Sequence, residues 1–336
     1  MDDPALPARR LFELYSALGQ RDRAFCALGA LHLMRAASED EQKAYQLLLK
    51  RSPSWPSRAL TDNLWRTQVL HPLCRNPLAQ ILSVLYRGAP ELFAEGQREL
   101  ALKKKERIDL SPNTRNKRVR LRYFDIFSRL ASAMHVPPME HFHRPGSTAA
   151  PRLYPGAPPV LFAGEGHETF KVAKPRQIAW TIARQMAAAR PELAPVRALA
   201  PEEVGAAIEA AILLWSPEGS GVNLNLDPRL VQQWSKALQR TMQDPAIKAL
   251  KDPVVQCLQT RQMRHLAKFL EGAEHSASRA ALLLSHDVVA AERGLGESDQ
   301  LVDVSFRSRV RTLMLFTLSE DHFSLREKLG LAIPSE

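Results

Sequence analysis

Residues 174–190 read KPRQIAWTIARQMAAAR, and shortly before them residues 161–166 read LFAGEG. The first stretch opens a series of helices expected at about 174–190, 201–215, 228–243, 253–270, 272–292, 303–316 and 319–329. Pro201-Glu202-Glu203 is a favourable opening for one of them, with proline in the first turn and carboxylates at the positive end of the helix dipole. The second stretch belongs to the last of three short extended runs, Glu140–Arg144, Arg152–Tyr154 and Val160–Ala163. Seven prolines between Val136 and Pro159 limit these strands to short pieces, so a small antiparallel sheet is expected. The clearest loop is SPEGSGVNLNLD at 216–227.

Toward the N-terminus the pattern is helical throughout. Leu11, Leu14, Tyr15 and Leu18 recur at helical spacing before Gly19, and Ala24, Leu28 and Leu31 form a second stripe. Ser38 and Glu41 are spaced as a capping box, each able to satisfy the other's backbone N–H at a third helix start. Further helices are expected near Thr61–Leu70 and Leu78–Tyr86. The chain as a whole is expected to be mainly α. A helical-repeat-like part covers 1–102, a basic connector 103–122, and a mostly helical α+β domain with a small antiparallel sheet 123–336.

Apolar residues make up 45% and charged residues 24%, the balance of a chain that buries a core and not of a disordered one. The formal charge of +10 is uneven: residues 1–150 carry 24 Lys and Arg against 15 Asp and Glu, residues 151–336 carry 22 against 21. An electrostatic partner is therefore expected at the front half, above all at KKKERIDLSPNTRNKRVRLR, 103–122. Lys103, Lys104, Lys105, Arg118, Arg120 and Arg122 are the expected contacts for a polyanion. No aromatic side chains interleave with them, so binding to nucleic acid is expected to be weak and non-specific at most. Cys26, Cys74 and Cys257 are odd in number and form no Cys-x-x-Cys pair, which argues against a disulfide framework or a zinc ribbon. The opening MDDPALPARR lacks the apolar core of a signal peptide. Apolar runs such as Ala210–Trp215 and Leu313–Leu318 are far below the roughly 20 residues that span a bilayer. A soluble, cytoplasmic protein without membrane insertion is expected.

Three resemblances carry this reading further. Tyr15, Gly19, Ala24 and Leu28 sit at spacings similar to the helix–turn–helix signature of a tetratricopeptide unit, although Phe12 and Leu31 stand where that family prefers small residues. One such unit cannot bury its own face. Either the helices near 61–70 and 78–86 stack on it, or the chain is the tail of a longer array, which is the expectation favoured here. The C-terminal stretch down to FSLREKLGLAI, 323–333, resembles the tails of large tetratricopeptide proteins of gliding soil bacteria, a likeness that implies context and no activity.

The order of elements over 123–292 resembles the gluzincin zinc peptidases, within them the prenyl-protein and heat-shock peptidases. Leu161-Phe162-Ala163-Gly164-Glu165-Gly166 looks like their sheet strand. Ile178-Ala179-Trp180-Thr181-Ile182-Ala183 looks like the lead into their His-Glu-x-x-His helix, and Glu274-His275-Ser276-Ala277-Ser278-Arg279 like their later Glu-x-x-Ala-Asp-Arg helix. The resemblance implies that Arg184 and Ala188 stand at the two histidine positions, Gln185 at the general base, Glu274 at the third ligand and Ser278 at the aspartate.

A catalytic zinc needs three protein ligands and an open position for water. Arginine at a ligand position repels a cation, and glutamine takes no proton from water. The domain is thus expected to be a degenerate peptidase with neither metal nor cofactor nor catalytic residue. The resemblance further implies that Arg184 and Glu274 pair in place of the metal. An inactive domain of this kind implies a protein partner. A competing expectation is a hydrolase with an atypical metal or acid–base site around Glu274, His275, His286 and Asp287, with Glu271, His141 and His143 as further candidates.

Overall fold

Gly19, in a left-handed conformation (φ 68°), turns helix α1 (Leu6–Ala17) back onto α2 (Arg21–Leu33). The computed structural model that shows this describes residues 5–108, 121–167, 174–222, 225–297 and 300–335. Helix α3 (Glu39–Arg51) begins at the capping box read in the sequence: Glu41 N donates to Ser38 Oγ at 3.3 Å and Ser38 N to Glu41 Oε2 at 2.7 Å. The helices near Thr61 and Leu78 are not what covers the α1–α2 pair. The face of α2 is closed by α3 and by two helices from the far end of the chain, α11 (Val288–Glu297) and α12 (Phe306–Thr317). The last helix, α13 (Glu320–Lys328), continues the same contact. Its Phe323 meets Tyr15 edge-on at 6.1 Å, and the fully buried Arg326 forks onto Asp22, with Nη2 to Oδ1 at 2.7 Å.

The sheet is mixed, which corrects the antiparallel expectation. Strands β1 (Arg107–Ile108), β2 (Glu140–Arg144), β3 (Arg152–Tyr154) and β4 (Val160–Gly164) lie in the order β1-β2-β4-β3. β2 and β4 pair in parallel, in a register that sets Phe142 beside Phe162; the two outer pairings are antiparallel. Proline-bounded loops carry the chain from β2 past the central position to the edge strand β3. The chain then returns as β4 between β3 and β2, so β2 and β4 point the same way. β1 falls inside the expected connector: Glu106, buried just before it, takes Arg144 Nε at 3.0 Å.

Helix α4 (Pro77–Gly88) lies in the interior. α7 (Pro201–Leu213) packs on it, and α8 (Pro228–Thr241) packs on α7. The helical run expected to break at residue 271 breaks elsewhere. α9 (Lys251–Gln259) ends before Arg261, which is left-handed (φ 50°), and α10 (Leu266–Ser285) runs unbroken to His286, also left-handed (φ 39°). α5 (Leu121–Met134) and α10 both pack on α6 (Pro175–Ala188). One hydrophobic core runs from Ala5 to Ile333 across the boundaries expected at 102 and 123. A second cluster, with Phe142, Val160 and Phe162, lies on one face of the sheet. Among the described residues no helix is long and apolar enough to cross a membrane.

Candidate functional site

Helix α6 starts at Pro175, with Gln177 Oε1 accepting from Lys174 N at 3.0 Å. It lies along α10, the most extensive helix pairing among the described residues. Buried alanines on both helices, among them Ala183, Ala187, Ala277 and Ala281, let the two backbones approach closely. Short polar side chains can then bridge the seam. Arg184 Nη2 donates to Glu274 Oε1 at 2.6 Å and Oε2 at 2.7 Å, and its Nη1 donates to Ser278 Oγ at 2.7 Å. Glu274 and Ser278, one helical turn apart, present one face to a single guanidinium. The side chains of Arg184 and Glu274 are 4% and 0% exposed, so this is an interior pair and not a screened surface bridge.

Two further groups complete the site, and sequence reasoning missed both. Leu301 N donates to Glu274 Oε2 at 2.9 Å, and Arg309 Nη1 of α12 stands 3.8 Å from Glu274 Oε1. Arg309 is only 4% exposed. A signal for it existed: the position falls four residues before Leu313, so a helix that buries Leu313 turns an arginine inward, where it needs a carboxylate.

Gln185 and Ala188 are not part of this cluster. Gln185 Oε1 accepts from Leu153 N at 2.8 Å, tying α6 to β3, and Ala188 packs with Leu153 and Ala189. Arg279 lies over the Phe316 ring at 4.7 Å, and burial draws its pKa down to about 10.

The residues of the competing hydrolase site are dispersed. His275 Nε2 meets Glu271 Oε1 at 3.3 Å and Thr312 Oγ1 at 3.5 Å, away from the Arg184 seam. Asp287 accepts from Tyr45 O–H at 3.2 Å and from Val289 N at 3.0 Å. His286 is buried, and burial together with Arg176 and Arg326 drives its pKa well down; those two cations also oppose a metal there. His141 and His143 do share one strand face, but it is an aromatic one: His141 meets Phe127 edge-on at 4.1 Å and His143 lies 6.0 Å from Phe124. Among the described residues no group of three or more His, Cys, Asp or Glu side chains is placed to hold a metal.

Comparisons with known families, curated proteins and solved structures find no match to this chain.

At the other candidate surface, Lys103, Lys104 and Lys105 are exposed. Arg118 and Arg120 lie outside the described residues, and of Arg122 only the backbone, in the first turn of α5, is described.

Proposed function

We propose that the chain is a non-catalytic interaction protein, whose rear part is a degenerate relative of the zinc peptidases and whose front hairpin is a tetratricopeptide-like unit. The observation that carries this reading is the state of Glu274. Both of its oxygens are engaged by Arg184, one also by Leu301 N, and a second guanidinium lies close by. A divalent cation at this carboxylate would have to displace two arginines from a buried site. Gln185, which stands where the resemblance puts a general base, carries no ionisable carboxylate and is engaged by the backbone of β3. A fixed cation in place of a removed one keeps the interior carboxylate paired, and pairing is the condition for burying it. The same exchange removes the Lewis acid and the metal-bound water on which peptide hydrolysis depends.

The test is elemental analysis of the purified protein together with incubation against an unfolded protein substrate. The expected outcome is substoichiometric zinc and no cleavage. One equivalent of zinc, or cleavage that Glu274→Gln abolishes, would overturn the proposal.

A further inference from the structure

Between residues 229 and 268 the chain carries eight Lys and Arg against two acidic residues, Asp244 and Asp252. The average charge of the rear half hides this local excess. All eight basic side chains are exposed, and among the described residues none forms an ion pair. Elsewhere the chain pairs its arginines closely, as in Arg23–Glu320, Arg35–Glu292 and Arg144–Glu106. The two acidic residues lie in the first turns of the helix Asp244–Ala249 and of α9, where the helix dipole engages their charge.

These elements form a layer over α4, in contact with it directly or through α7. The helix Asp244–Ala249, α9 and the turn Gln262–His265 all pack on α4, and α8 covers α7, which rests on the same helix. On α8, Arg229, Lys236 and Arg240 recur at i, i+7 and i+11, opposite the buried Trp234 and Leu238. Lys248 and Lys251 follow on the next two helices, and Arg261, Arg264 and Lys268 lead into α10. Trp215 is 37% exposed and is held in place by its Nε1–H, which donates to Ile247 O at 3.2 Å, one residue from Lys248. Beyond Trp215, the only other large apolar side chain exposed in this layer, among the described residues, is Val255.

An acidic peptide needs an apolar groove to offset the cost of ordering it, and the one bordering this layer, between α7 and α8 with Leu213, Leu226 and Val231 in its wall, also holds Glu209, a carboxylate that opposes such a ligand. A spread of unpaired cations with one anchored aromatic suits a ligand of repeated charge, whose binding is driven by counterion release. We propose that this layer binds the phosphate backbone of nucleic acid without sequence preference. This proposal stands independently of the peptidase-like reading.

Fluorescence anisotropy with a labelled random-sequence duplex, titrated over a range of salt concentrations, tests it. Three proteins are compared: the wild type, the quadruple variant K236Q/R240Q/K248Q/K251Q, and the connector variant K103Q/K104Q/K105Q. All substituted side chains are exposed, and matching thermal melts would confirm that the fold is kept. The wild type should bind at low salt and weaken steeply as salt rises. The quadruple variant should bind at least about ten-fold more weakly, with a log–log salt slope shallower by about 3 to 4. The connector variant should retain most of the affinity. The proposal fails if the wild type does not bind at low salt, or if the quadruple variant keeps the wild-type affinity and slope. It also fails if the connector variant alone abolishes binding. Displacement by polyglutamate at charge concentrations as low as those of duplex would assign the layer to an acidic protein and overturn it equally.

Discussion

Single buried imidazoles set how this protein responds to acid. Burial presses the pKa of His71, His141 and His322 down to about 3 and that of His143 to about 4, with nearby cations adding to the effect at His71 and His322. In the unfolded chain these groups titrate near 6.5. Each therefore contributes stability that is complete above pH 6.5 and is lost as pH falls from 6.5 toward the folded pKa, because the unfolded state takes up the proton first. Each histidine should remove roughly 1.4 kcal/mol per pH unit within that window. The paired carboxylates Glu41, Asp62 and Glu106, held low by hydrogen bonds from Arg9, Arg190 and Arg144, lose their contribution only below about pH 4.5. Urea midpoints should thus fall already between pH 6.5 and 5. His141→Phe, which keeps the ring against Phe127 and removes an Nε2 that has no hydrogen bond, should flatten that fall. An unchanged pH profile in this variant would contradict the account.

At the scale of elements, the seam between α6 and α10 depends on small residues, and so does the opposite side of α10. A Cβ on Gly272 would stand 2.8 Å from Cys74 Sγ and 2.8 Å from Leu73 Cβ, in the turn Pro72–Cys74 whose thiol donates to Phe269 O at 3.1 Å. Gly272→Ala should therefore destabilise by about 1–3 kcal/mol through overpacking, despite the better helix propensity of alanine. Thermal melts that show no loss would mean the turn moves aside freely. Much of this level was legible in the sequence. The capping box at Ser38 and the strands β2 and β3 lie where local pattern put them, and Arg184 and Glu274 do meet, joined by Ser278, for which no contact was expected. What local pattern could not supply was anything set by long-range packing. β2 and β4 run parallel because of the route the proline-bounded loops take, which no strand encodes by itself. The breaks at Arg261 and His286 use left-handed residues other than glycine, so the usual stop signal is missing there. Arg309 lies in the helix expected at 303–316, but local spacing does not name the carboxylate it meets. The basic layer over 229–268 was averaged away by the acidic remainder of the rear half.

Over the whole molecule, the two ends of the chain close on each other. Asp22 takes the Arg326 fork and Ile333 N at 2.9 Å, Arg23 pairs with Glu320 at 2.9 Å, and α2 packs on α11 and α12. The front and rear segments thus share one core, and the Arg184–Glu274 pair lies at the junction of α6, α10 and α12 within it. Removing either partner breaks a buried ion pair, at a cost of about 3–5 kcal/mol. The two partners are not equivalent. Arg184→Ala leaves Glu274 with Arg309 and Leu301 N, whereas Glu274→Ala removes the carboxylate that both Arg184 and Arg309 face, so the carboxylate variant should be the less stable. The most direct measurement of the central claim is a double-mutant cycle, in which urea unfolding is followed for Arg184→Ala, Glu274→Ala and the double variant. A structural cross-link between the two helices predicts a double variant less destabilised than the sum of the two single ones, with a coupling of about 1–3 kcal/mol. Strictly additive losses would show that the two side chains do not support each other, and the account of this site would be wrong.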